Sequence, residues 1–168
     1  MIFKSYELNK ISLDLNKIFL FYGKNEGLKN EALNVLIKNK DNISNYEEKE
    51  ILDNENNFIE NILSKSLFDP QKFVIIKRAT DKILKIIETL HSKNLEDTTI
   101  ILNSENLEKK SKLRSYFEKD KRLICVPFYP DNDQTLYKIT YNFFRDKKIS
   151  ISSSNINLIV NKCRGDRE

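Results

Sequence analysis

Lys17-Ile-Phe-Leu-Phe-Tyr22, followed by Gly23-Lys-Asn-Glu-Gly-Leu-Lys-Asn30, is the stretch on which the reading of this chain turns. An unbroken apolar run of this length, closed by glycine, predicts a strand buried on both faces, as in parallel sheets. The residues that follow, Glu26 to Asn39, place Leu28, Ala32, Leu33, Val35 and Leu36 at helical spacing. In α/β folds the turn between such a strand and helix is the usual phosphate cradle, where backbone N–H groups and the helix N-terminus meet the anion. The turn is therefore compared with the phosphate-loop pattern G-x-x-x-x-G-K-[ST]. Counted from Gly23, the second glycine is replaced by Leu28, the lysine is retained as Lys29, and the hydroxyl residue is Asn30. Leu28 sets a side chain where backbone must approach phosphate, Asn30 lacks the hydroxyl that holds Mg²⁺, and Glu26 adds like-charge repulsion. Two readings of Lys29 stand: the anchor of a divergent nucleotide-binding enzyme, or a solvated side chain on an ordinary strand–helix turn.

Outward from this unit the periodicity alternates. A faint strand signal at Ile43–Tyr46 precedes a helix over Asn54–Lys65 with a stripe of Phe58, Ile59, Ile62 and Leu63. Strands are predicted at Lys72–Lys77, Thr98–Leu102 and Arg122–Phe128, with helices at Asp81–Ser92 and Lys109–Lys119 between them. The expected fold is α/β: five strands in a doubly wound parallel sheet of the P-loop NTPase type. The strand at Phe73–Ile76 offers a second test of nucleotide chemistry, because a hydrolase needs a carboxylate at its end to organise Mg²⁺. It ends instead in Lys77-Arg78. Beyond Pro130 the pattern is helical, over Asp131–Lys147 with Leu136, Ile139, Phe143 and Phe144, and over Ser153–Cys163 with Ser152–Ser154 as candidate caps. The chain divides into a sheet domain, residues 1–129, and the start of a small helical domain, residues 130–168.

The composition excludes several classes. A chain of 168 residues buries about 70% of its unfolded surface and needs no disulfide or metal staple. No apolar run approaches the roughly 20 residues of a membrane span, and no secretory pattern opens the chain, so a cytoplasmic protein without membrane contact is expected. Lys, Asn and Ile supply 64 of the 168 residues, which makes the net charge of +4 more a mark of A/T-rich codons than of a polyanionic partner. Lys109, Lys110, Lys112, Arg114 and the Lys119–Arg122 cluster are the residues on which a DNA-binding reading would rest. Cys125 and Cys163 read as free thiols, and His91, the single histidine, supports neither a zinc site nor a catalytic triad. No cofactor and no metal are expected.

Ser66-Leu-Phe-Asp-Pro70 closes the helix carrying the 58/59/62/63 stripe. Leu67 and Phe68 read either as local packing or as a pair of apolar anchors held out at a helix tip. Together with Ile18–Glu26, Lys72–Ala79, Ile101–Leu113 and the closing Arg164-Gly165-Asp166-Arg167, this segment resembles, in order along the chain, the N-terminal part of the delta subunit of bacterial DNA polymerase III. That family opens the ring-shaped sliding clamp during replication. The resemblance implies an AAA+-type sheet domain followed by part of a lid, in a truncated, non-catalytic subunit without Walker chemistry at Gly23, Leu28, Lys29 and Asn30. It also implies insertion of the Ser66-Leu67-Phe68 tip into a pocket of the clamp (the beta subunit). The family's further partners are the other loader subunits, with DNA contacted only within the assembly.

Overall fold

The computed structural model describes residues 1–13, 15–37, 42–64, 71–93, 95–163 and 167. Strands β1 (Ile18–Tyr22), β2 (Ile43–Glu47), β3 (Lys72–Lys77), β4 (Thr98–Ser104) and β5 (Ile124–Pro127) form one sheet in the order β2-β3-β4-β1-β5. Every pairing is parallel. All five residues of β1 are buried, because β4 and β5 flank it and helices cover both faces. β2 lies at an edge and is only half-buried, which explains why Ser44 and Asn45 are tolerated there and why its apolar signal was faint.

Alternation along the strands splits the core in two. One face carries Ile18, Leu20, Tyr22, Val74, Ile76, Ile100, Leu102 and Cys125. Against it pack α2 (Glu48–Asp53), α3 (Glu55–Leu63), α4 (Leu84–Ser92) and α5 (Lys112–Lys119), through Ile51, Phe58, Ile87, Leu90 and Phe117. The other face carries Phe19, Phe21, Ile101, Ile124 and Val126 and receives Ala32 and Leu36 of α1 (Glu26–Leu36). A 3₁₀ turn over Ser5–Lys10, which the periodicity did not announce, drives Leu8 into this second layer. The doubly wound α/β expectation holds.

Two helix starts differ from expectation for capping reasons. The predicted 54–65 helix is preceded by α2, where Glu47 accepts from the N3 backbone and the Glu50 side chain reaches back to the Glu47 N–H at 3.0 Å. Asn54, with φ −142°, then breaks the two apart. The predicted 109–119 helix begins only at Lys112, because Ser111 caps it and Asp81 takes the N–H groups of Lys112 and Leu113, both at 3.0 Å. Burial pushes the Asp81 pKa up, but these bonds and that from Ser111 outweigh it and hold the carboxyl below its ordinary value.

α6 (Asp133–Asp146) and α7 (Ser153–Cys163) pack on each other through Leu136, Ile156 and Val160. Of the predicted α6 stripe only Leu136 is buried, while Phe143 stays 57% exposed. Two helices cover one stripe of each other and leave the rest to water. Ser152 does cap α7, its Oγ accepting from the Asn155 N–H at 3.2 Å.

Candidate functional site

The turn after β1 is shaped by Gly23, whose φ of +129° favours glycine. A Cβ built there would stand 2.1 Å from the Phe128 carbonyl oxygen. Asn25 caps α1: its Oδ1 accepts from the Leu28 N–H at 3.0 Å, and its Nδ2 donates to the Tyr129 carbonyl at 3.0 Å and to Asp131 at 2.8 Å. Where a phosphate would draw on the loop's N–H groups, this loop is tied to its own chain. Leu28 is half-buried against the α1-side core, and Asn30 lies on the exposed side of the helix.

Lys29 is fully buried, which overturns the solvated reading. Its Nζ donates to Asn103 Oδ1 at 2.8 Å and to the Ser104 carbonyl at 2.9 Å, and it pairs with Glu26 at 2.6 Å. The ammonium therefore turns inward, to the C-terminal end of β4. A buried charge needs such a complete set of partners, since desolvation without them is far too costly. Above it lies a cleft of about 380 Å³ lined by Glu26, Glu47, Lys77, Arg78, Asn103 and Glu105. Lys77 and Arg78 are both exposed there, and Arg78 folds back with φ +54° to meet Glu47 at 2.8 Å. Among the described residues no three His, Cys, Asp or Glu side chains converge as a metal site.

The second side of the loop is held from far along the chain. Arg167, 11% exposed, donates to Asp131 at 2.8 and 2.9 Å and to Glu31 of α1 at 2.7 Å. Asp131 thus joins the α1 cap to Arg167. Burial pushes the Asp131 pKa up, yet the hydrogen bonds from Arg167 and Asn25 hold it below the ordinary value. A carboxyl depressed on folding adds stability above its unfolded pKa, about 3.9, and loses it as pH falls through the lower folded value. Arg167→Ala is accordingly expected to cost about 1 kcal/mol at pH 7, a cost that shrinks as pH falls below about 3.9. Urea unfolding of both proteins across pH 2–7 measures this, and parallel curves would refute it.

The Ser66-Leu67-Phe68 tip lies outside the described residues; α3 ends at Leu63, 36% exposed, short of it. The basic residues proposed for DNA are dispersed. Arg114 is withdrawn from that set: it is paired to Glu118 at 2.7 Å, with its guanidinium 4.8 Å from the centre of the Tyr22 ring. Lys110 is paired to Glu108 at 2.9 Å, at the opposite end of α5 from Lys119–Arg122. Cys125 is buried, its thiol pushed up to about 12 chiefly by that burial. Asn103 and Asp131 were missed in the sequence; the only hint of Asn103 is a polar residue closing the apolar run Thr98–Leu102.

No protein-family model matches the chain, and no curated protein matches its sequence. Solved structures do resemble it. The fold is similar to that of the Bacillus subtilis DNA clamp loader delta protein, with a TM-score of 0.62 and 16% identity over 92% of this chain and 50% of that one. It is also similar to domain III of the Thermotoga maritima replication initiation protein DnaA (0.51, 14%, over 96% and 75%). A Walker-type ATPase of Pyrococcus abyssi is a third (0.54, 13%, over 94% and 61%). This chain has an AAA+-type fold. It spans half the length of that clamp-loader delta protein. Among the described residues no helix is long and apolar enough to cross a membrane.

Proposed function

We propose that this chain is a clamp-loader delta-type unit that works by binding a sliding clamp, without nucleotide hydrolysis of its own. The observation that carries the reading is the burial of Lys29. In an AAA+-type fold, the lysine that would meet nucleotide phosphates is bonded instead to Asn103, Ser104 and Glu26. Lys77-Arg78 closes β3 with positive charge where a hydrolase would need a carboxylate. What remains for such a module is recognition. The residue-level resemblance assigns that recognition to Leu67 and Phe68, with Ser66 leading into them. The clamp ring would then open only to the extent that the module binds its open form more tightly than its closed one. Other loader subunits would supply the ATP-driven cycle, and DNA would be met inside that assembly.

Calorimetric titration against the sliding clamp of the same organism tests the reading. Binding is expected, weakened tenfold or more by Leu67→Ala/Phe68→Ala, because burial of two large apolar side chains is lost. An unchanged affinity in the double variant would remove the assignment. Micromolar binding or hydrolysis of Mg²⁺–ATP would favour the divergent enzyme anchored on Lys29.

A further inference from the structure

β5 is the outer strand on one side of the sheet, and the first three residues lie along it. Ile2 pairs with Cys125 in parallel; the Cys125 N–H donates to the Met1 carbonyl, and the Phe3 N–H to the Cys125 carbonyl, each at 2.9 Å. Two ladder bonds are a thin return for ordering three residues, and the Met1 and Ile2 side chains add little, at 46% and 55% exposed. The end of this arm is fastened separately. The Met1 α-amine donates to the carbonyls of Leu123 at 2.6 Å, Asp120 at 2.8 Å and Phe117 at 3.2 Å. Phe117 lies in the last turn of α5 and Asp120 caps it, where carbonyls lack partners along the helix and the dipole favours a cation. Leu123 immediately precedes β5. Nothing in the delta-type reading uses this corner.

We propose that the Met1 α-amine is an acyl-sensitive anchor: with the amine free, the first three residues dock on β5 as a short sixth strand, and an Nα-formyl group releases them. The count of donors carries the assignment. An ammonium offers three N–H donors, and three carbonyls converge on this one; an amide nitrogen offers a single donor. Formylation therefore removes two of the three bonds. At least one of the two part-buried acceptors, on Phe117 and Leu123, then loses its donor. The formyl oxygen would also be set among three oxygens that already face the nitrogen. Burial lowers the pKa of the amine, against Cys125, Asp120 and Glu118, so directed bonds rather than net attraction account for its position. Release of the arm matters beyond its own three residues. It uncovers the backbone of β5 at Cys125, and an open strand edge is a template for pairing with other chains. The class of reaction that supplies the docked form is hydrolysis of the formamide: water adds across the C–N bond, formate leaves, and the acid proton goes to the amine.

The chain is prepared with a free Met1 amine, and with the formyl group retained by blocking deformylation during expression, intact mass confirming each form. The formyl chain is expected to melt about 3–8 °C below the free-amine chain, from the loss of two charge-assisted bonds. Amide hydrogen exchange at Phe3 and Cys125 should quicken at least tenfold, and by more than at Leu20 and Ile101 in the central strands, which only global unfolding exposes. That local excess separates release of the arm from a general loss of stability. Treating the folded formyl chain with a peptide deformylase, to completion by mass, should restore both readouts. A Gly-Ser extension ahead of Met1, which moves the amine away from the three carbonyls, should act as the formyl group does. Equal melting and exchange in the free and formyl chains would overturn the proposal. So would complete deformylation that restores neither, or an extended chain that keeps Cys125 protected. None of these readouts involves the clamp.

Discussion

Gly23→Ala is expected to lower the stability of this chain by about 3–5 kcal/mol, with a fall of roughly 10–15 °C in melting temperature. Backbone geometry alone, φ +129°, costs a residue with a Cβ about 1–3 kcal/mol. The new methyl would also meet three backbone atoms of Phe128, at 2.1, 2.7 and 3.0 Å. None of them can step aside cheaply. The Phe128 N–H donates to the Tyr22 carbonyl at 2.8 Å, and its fully buried ring packs 4.9 Å from that of Phe21. The other side of the turn is tied too, the Gly23 N–H donating to the Glu105 carbonyl at 3.1 Å. A melting temperature within about 3 °C of the parent would show that the turn relaxes freely and would sink the argument. The consequence reaches the functional reading: packing against Phe128 requires this glycine whether or not phosphate ever binds. Its presence in a phosphate-loop pattern is therefore no sign of nucleotide chemistry.

What the sequence disclosed, and what it withheld, follows from the range of the interactions involved. Four of the five strands were legible because burial demands continuous apolar runs, as in Phe19–Tyr22 and Phe73–Ile76, whereas β2, half-buried at an edge, left only a faint signal. The helix starts were less so, since Ser111 and Asp81 decide the onset of α5 from 30 residues apart. Lys29 could not be read at all. Its local context, between Leu28 and Asn30 in a Lys- and Asn-rich chain, is that of a surface residue. Its partners, Asn103 and Ser104, lie 74 and 75 positions away and meet it only because β4 pairs with β1. The same holds for Arg167, which reaches Glu31 across 136 positions. Periodicity reports which face an element buries; it carries no information about which distant polar groups meet at the strand ends, where an α/β fold keeps its chemistry.

Lys29→Met gives the second large effect, an expected loss of about 2–4 kcal/mol in the ligand-free protein. Methionine keeps the length and apolar stem of lysine, so cavity formation contributes little. What disappears is the set of charge-assisted bonds to Asn103 Oδ1 and the Ser104 carbonyl, 2.8 and 2.9 Å long. Two acceptors are then left facing a thioether, at about 1–3 kcal/mol for each buried one. Relief from burying an ammonium offsets part of that loss, which keeps the sum below the two penalties taken together. The Glu26 side of the pair matters less, because that side chain is 53% exposed and water replaces its partner. Glu26→Gln should accordingly change stability by less than about 1 kcal/mol. A nucleotide-binding lysine predicts the reverse pattern: Lys29→Met would leave the ligand-free protein as stable as before and abolish stabilisation by Mg²⁺–ATP. Urea unfolding of parent and variant, each with and without Mg²⁺–ATP, separates the two. A large loss without nucleotide, and no effect of nucleotide on either protein, would mean that the lysine at the phosphate-loop position serves to hold β1's loop onto the end of β4.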